Sequence, residues 1–284
     1  MKKFLVFWAI GLLNLANVQS FCQNTHVITI DHVPIVVGNL ELTKKILSEQ
    51  LHFKVKEGKT HEGIKNCFIK FQDGTYLEFI TPIDTSYSIG KYYANFQKSR
   101  QGATDLALSV KNSNSITSFL IQKSIPFEID SNRIWKTIQP KDYDLFYIEY
   151  ADKNWKDSKI NTTHLNQSLS LKSTYVIDNK LHNWAKEFKN LGFSVDGMEK
   201  LWDIPYQKVI IGSSNLCLFE FSQSKKIRSK FKSLDLYGIC GFEIKVENLE
   251  ELKKLIPKAN NIVIGKSSII YFFYDDNFFL EFTE

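Results

Sequence analysis

Tyr76-Leu77-Glu78-Phe79, Tyr147-Ile148-Glu149-Tyr150, Leu218-Phe219-Glu220-Phe221 and Phe279-Leu280-Glu281-Phe282 are four apolar runs with a glutamate in the same place. The glutamates fall 71, 71 and 61 residues apart. Recurrence at near-regular intervals marks a repeated unit, and a repeat fixes the fold before any motif is weighed. An acid inside an apolar strand is costly to desolvate unless it is paired or bound to a metal. The same four positions therefore bear on chemistry.

Upstream of Glu78 the order is an alternating strand (Ile30 to Val37), an amphipathic helix (Leu40 to Leu51) and three further strand-like runs. Gln72-Asp73-Gly74 separates the last two as a hairpin turn. The second unit repeats this with a strand over Thr104 to Val110, a helix over Ser115 to Lys123, and strands near Phe127, Arg133 to Ile138 and Leu145 to Tyr150. Unit three begins near Ser170 to Ile177; Leu181, Trp184, Ala185, Phe188 and Leu191 follow with helical spacing, and Gly192 supplies the stop. Unit four begins at Gly241 to Val246, and Asn248-Leu249-Glu250 copies Asn39-Leu40-Glu41. Each unit reads β-α-β-β-β, which predicts an α+β chain of four βαβββ modules in two paired halves.

Period-two alternation sends Val33, Ile35 and Val37 toward the helix and His32 to the opposite face. Leu106, Leu108 and Val110 alternate with Asp105 in the same sense, and Phe242, Ile244 and Val246 with Gly241. His32 and Asp105 thus take the same place in their units, and Glu78 and Glu149 take another.

On these residues the chain resembles the glyoxalase-like branch of the vicinal oxygen chelate superfamily. Ile30-Asp31-His32-Val33 resembles the branch's first strand; Gly58, His61, Gly63 and Asn66 resemble its glycine-histidine-glycine-asparagine loop; Tyr76-Leu77-Glu78 resembles its fourth strand. The resemblance covers roughly residues 27–150 well. Over 168–284 it rests on module order and the recurring glutamate. It implies paired half-barrel modules curling into a cleft, with a divalent ion held by His32, Glu78, Asp105 and Glu149. Aspartate at 105 departs from the histidine or glutamate of the metal-dependent isomerases. It also implies that His61 and Asn66 touch substrate, and that Glu149 or Asp105 moves a proton. The second-half counterparts of His32 are Lys172 and Gly241, neither of which completes a site, so that half reads as a degenerate copy.

One imidazole and up to three carboxylates suit Zn, Mn, Fe or Ni, and the sequence does not choose among them. Such an ion polarises a carbonyl and stabilises an enediolate. Three readings stay open: a metal-dependent isomerase or lyase acting on a small oxygen-rich metabolite, a sequestering protein that binds a small molecule without turnover, and strand-end glutamates that merely pair with a nearby cation or amide. An extradiol dioxygenase needs two histidines and one glutamate around iron, which Asp105 opposes. Arg133 and Trp135 alternate on one strand, and an arginine there either grips a carboxylate substrate or neutralises Glu149. His26, His52, His164 and His182 carry no such context and read as surface or turn residues.

Lys2-Lys3 precede an apolar run from Phe4 to Leu13, with small or polar residues through Ser20. This pattern predicts a secretory signal over 1–22 and an exported, periplasmic or extracellular protein. No later stretch approaches the ~18 consecutive apolar residues of a membrane span. Domains are expected over 23–150 and 170–284, with 151–169 as a polar linker. Net charge is +5, or +3 without Lys2 and Lys3, which demands no nucleic acid or other acidic partner. The run Lys225 to Lys232 reads as a solvated connector. Export permits disulfides, and Cys217 and Cys240 lie in neighbouring modules, but pairing does not follow from sequence.

Overall fold

The computed structural model describes residues 27–152, 157–177, 183–223, 225–226, 238–256, 259–273 and 277–284. The predicted signal, Cys22, His26, Leu181, His182 and residues 227–232 of the basic run lie outside these.

Two mixed sheets carry the fold. Numbered along the chain but given in spatial order, the first runs β2 (Lys56–Glu57), β3 (Ile64–Lys70), β4 (Tyr76–Pro82), β1 (Val27–Val36), β6 (Leu106–Val110), β9 (Leu145–Tyr150), β8 (Trp135–Pro140) and β7 (Phe127–Ser131). A short β5 (Gly102–Ala103) also pairs with β1. The second runs β11 (Val195–Leu201), β12 (Ile204–Ile211), β13 (Ser214–Phe219), β10 (Ser168–Ile177), β14 (Gly238–Val246), β17 (Phe278–Thr283), β16 (Ile269–Phe273) and β15 (Ile262–Ile264). In each sheet the first strands of two modules pair antiparallel at the centre, and each is flanked by its own module's last strand running parallel. The architecture is α+β, with two paired half-barrel units.

Every module helix starts on an asparagine. Asn39, Asn112, Asn183 and Asn248 accept from the backbone N–H groups of Leu42, Asn114, Lys186 and Glu251 at 2.9–3.0 Å, opening α1 (Leu40–Lys45), α3 (Ser113–Gln122), α5 (Trp184–Asn190) and α6 (Leu249–Leu255). After α1 the coil widens over Ile46–Gln50, where Leu51 N donates to Ile46 O. The connector between the sheets contains α4 (Lys159–Thr162), and its Asp157 pairs with Lys56.

The helix-facing sides of the two sheets merge into one core. Val33, Ile35, Leu77, Phe79, Leu106, Leu108 and Tyr147 belong to the same buried cluster as Leu171, Leu216, Phe242, Ile244, Phe278 and Leu280. Phe79 meets Phe278 at 6.2 Å between ring centroids, and Phe53 meets Phe282 at 5.8 Å. Polar stitches reinforce this seam: Leu171 N donates to Thr75 Oγ1 (3.1 Å), and Tyr271 OH to Gln50 Oε1 (2.8 Å).

Several expectations change. A helix the sequence reading lacked, α2 (Ser88–Ser99), lies between the first two modules and packs on β4 and β1. Arg133 sits not on a strand but in an exposed turn, where Asn132 Oδ1 accepts from Ile134 N and Trp135 N. His164 is buried rather than at the surface: Lys54 N donates to its Nδ1 (3.0 Å) and its Nε2 lies 2.9 Å from Lys70 O. Cys67, Cys217 and Cys240 are free and buried. Cys217 and Cys240 flank β10, about 10 Å apart at two strand spacings, too far for a disulfide. Among the described residues no helix is long and apolar enough to cross a membrane.

Candidate functional site

The face of the first sheet opposite α1 and α3 carries a buried polar strip. Register sets its rows: Lys70, Tyr76 and His32 stand side by side on β3, β4 and β1, and Phe68, Glu78 and Pro34 form the next row. At the start of β1 the pairing slips between Ile30↔Leu108 and His32↔Ala107, leaving Asp31 as an extra residue. A bulge of this kind re-aims side chains. Here it brings the Asp31 carboxylate onto the imidazole beside it.

His32 is thereby held on every side. Its Nδ1 lies 2.6 Å from Asp31 Oδ1, its ring stacks on Tyr76 at 4.4 Å, and Phe146 meets it edge-on at 5.6 Å. A carboxylate only accepts, so Nδ1 carries the hydrogen and Nε2 is the nitrogen left for chemistry. Nε2 lies 3.7 Å from Glu78 Oε2. Tyr150 OH also donates to Asp31 Oδ1 (3.0 Å), and Tyr76 OH lies 3.3 Å from Tyr150 OH.

Asn66 fixes the other half of the pair. Its Nδ2 donates to Glu78 Oε1 at 2.7 Å, and its Oδ1 accepts from Lys59 N at 3.2 Å. Gly58 is needed beside it, because a Cβ there would stand 1.8 Å from Asn66 Oδ1. Asn66 therefore positions Glu78 through the loop. His61 is exposed, and its backbone pairs with Ile64.

Lys70 closes the strip. Its Nζ lies 3.0 Å from the Tyr76 ring centroid, and burial pulls its pKa down to about 8 against the opposing pull of Asp31 and Glu78. Two strands from Glu78, Asp105 accepts from Tyr92 OH of α2 at 3.0 Å. Burial pushes the Asp105 carboxyl up to about 6, Asp144 adds to this, and the Thr104 and Tyr92 bonds and Arg100 oppose it.

The four expected ligands do not converge. Leu145, Tyr147 and Glu149 share the helix-facing side of β9, where Glu149 Oε2 accepts from Ser113 N (2.7 Å) and caps α3. Tyr150 occupies the cleft side in its place. A single-residue offset in a strand reverses the face. Asp105 lies about 10 Å from Glu78 at backbone level, and Asp31 and Glu78 bracket the imidazole from opposite ends. Among the described residues no group of three or more histidine, cysteine, aspartate or glutamate side chains is placed to hold an ion. The donor set present does not fit the predicted four-ligand metal centre. Arg133, in its turn beyond β7, is not part of the strip.

In the second half, Glu281 is the counterpart of Glu78 on the cleft side, while Glu220 lies exposed beyond the end of β13. Lys172 pairs with Glu243 (3.0 Å), and a Cβ on Gly241 would fall 2.3 Å from the Phe279 ring. Asp31, Lys70, Tyr76, Tyr92 and Tyr150 were not singled out from sequence. Asp31 stood beside His32 all along, and only the bulge turns it inward.

A profile described as a glyoxalase-like domain matches residues 30–192. Comparison with curated protein sequences found no match. Similar solved structures include a hypothetical protein from Staphylococcus aureus (11% identity, 89% of this chain and 97% of that one, TM-score 0.60). A variant of 4-hydroxymandelate synthase from Streptomyces coelicolor aligns at 11% identity, 90% and 92% coverage and TM-score 0.59. A variant of homoprotocatechuate 2,3-dioxygenase from B. fuscum aligns at 9%, 94% and 73%, with TM-score 0.58. At these identities the structures speak for the fold. The profile spans more than half of the sequence, and the chain belongs to the glyoxalase-like domain family of the vicinal oxygen chelate superfamily.

Proposed function

We propose that this is an exported protein that binds a small oxygen-rich molecule over the His32–Glu78 pair and moves a proton on it. The observation carrying this reading is the approach of His32 Nε2 to Glu78 Oε2 at 3.7 Å, with each group anchored from behind by Asp31 and Asn66. A preset imidazole beside a fixed carboxylate suits proton transfer next to a carbonyl. The amino-terminal leader supports export; amino-terminal sequencing of the mature protein tests it.

Hydroxyacetone in D2O is a direct probe. Exchange of its carbon-bound protons, followed by NMR, is expected above the buffer rate in the wild type and at least about tenfold slower in Glu78→Gln and His32→Gln. Saturable shifts without exchange would instead mark a sequestering protein. Neither exchange nor shifts would overturn the reading.

A second reading, a divalent-metal-dependent isomerase or lyase whose ion is held by His32 and Glu78 alone rather than by the four predicted ligands, is favoured by one observation: Asp31 binds Nδ1 and leaves Nε2 turned toward a carboxylate oxygen, as carboxylates behind metal-bound histidines do. A bound ion would supply carbonyl polarisation. Metal analysis of the purified protein decides it: stoichiometric metal lost in both His32→Ala and Glu78→Ala supports it, and a metal-free wild type excludes it.

A further inference from the structure

The second sheet's cleft face is closed by its own side chains, and the way it is closed points to a ligand. Tyr175, Tyr206, Phe219, Phe272 and Phe279 line it as a cluster separate from the shared core. Glu281 stands among them, 3% exposed, and accepts from Tyr175 OH at 2.7 Å. A carboxylate so placed is costly to bury without donors.

Trp202 supplies another donor in an unusual way. It occupies the two-residue turn between β11 and β12, after Leu201↔Ile204, the last pair of that hairpin. Trp202 and Asp203 have φ of 53° and 64°, the left-handed region that turns of this kind normally fill with asparagine or glycine. A bulky aromatic there is an outlier that its surroundings must hold in place. The indole folds back over the cleft, parallel to Phe219 at 6.0 Å and edge-on to Tyr175 (5.3 Å) and Phe279 (6.0 Å). Its Nε1 donates to Glu281 Oε1 at 3.3 Å.

We propose that Trp202 is a stand-in occupying a second binding site, and that the seat beneath it takes an organic ammonium ion on a flat aromatic body. The chemistry of the seat is that of an ammonium cage: several aromatic faces with a carboxylate at the base. Glu243 lies beside Glu281 in register but is already matched by Lys172, Ser173 and Thr283, so the preference for positive charge rests on Glu281. Lifting the tip would leave the inner strands of the sheet paired. β11 is the edge strand, bonded only to β12, and most of its residues are exposed. This site is independent of the His32–Glu78 strip.

Tryptamine carries both features, and indole carries only the aromatic body with its N–H. Calorimetric titration of the full chain is expected to show saturable tryptamine binding, with indole weaker. Trp202→Ala removes the competing side chain. If the open form is about a tenth of the population or less, tryptamine then binds at least about tenfold tighter. Glu281→Gln is expected to bring tryptamine down to the level of indole. Circular dichroism checks that each variant is folded, and should Glu281→Gln fail, Trp202→Ala against wild type and tryptamine against indole still decide. No saturable binding to the wild type, no gain in Trp202→Ala, or equal affinity for indole and tryptamine would each overturn the proposal.

Discussion

Asp105 and His164 are buried groups whose protonation pulls on stability in opposite senses. Asp105 has a folded pKa of about 6 against an ordinary 3.8, so the folded chain keeps a proton that the unfolded chain has lost. Its contribution is greatest below about 4 and declines as pH rises to about 6, by roughly 3 kcal/mol at ~1.4 kcal/mol per unit. His164 is lowered to about 4 from 6.5, because burial disfavours its cation. Its contribution is intact above 6.5 and is lost as pH falls toward 4, again by roughly 3 kcal/mol. The two slopes offset each other in the wild type. Urea unfolding is therefore expected to find Asp105→Asn more stable than wild type at pH 7, by up to about 3 kcal/mol, and equal to it at pH 4. His164→Gln should be less stable by about 1–3 kcal/mol at pH 7, with the gap closing on acidification. Coincident pH profiles for all three proteins would refute both assignments.

Parity along a strand is where the reading of the sequence met its limit. The glutamate spacings marked the modules correctly, yet they do not say which face each glutamate takes. Glu78 and Glu281 face the clefts, Glu149 caps α3 and Glu220 lies past its strand. His32 and Glu78 were legible because the pairing is regular from His32 to Val36 of β1 and from Tyr76 to Ile80 of β4, so period two holds within each stretch. Asp31 was not, because a bulge obeys no period. α2 was hidden for another reason: Ser88-Ile89-Gly90-Lys91-Tyr92-Tyr93 has no clean helical stripe, and tertiary bonds hold it. Gly90 N donates to Glu62 O, Tyr92 OH to Asp105 and Gln97 Nε2 to Val37 O. The capping role of Glu149 predicts that Glu149→Ala costs about 1 kcal/mol in chemical denaturation. The same variant should leave the hydroxyacetone response of His32 and Glu78 unchanged; abolition of that response would return Glu149 to the site.

Apolar faces announce that something must cover them, but not what. The sequence gives two paired halves and a polar connector, and nothing in its pattern says that the helix sides of both halves share one core. Phe278 packs against Phe79 across the seam and against Phe273 at 4.3 Å within its own sheet. Phe278→Ala is expected to cost about 3–5 kcal/mol. Hydrogen exchange should speed up together in β1 and β10, because the cavity opens a core common to both; loosening confined to β10 and β14 would show that the halves are uncoupled. The buried thiols make the same coupling readable by chemistry. Burial holds Cys67 and Cys217 up at about 12 and raises Cys240 as well, so at neutral pH these sulfurs are poor nucleophiles behind closed walls. A thiol-specific dye would thus mark them only when the chain opens. Cys67 acts as a timer for one end of the protein and the other two for the opposite end, and a shared labelling rate would register a single event.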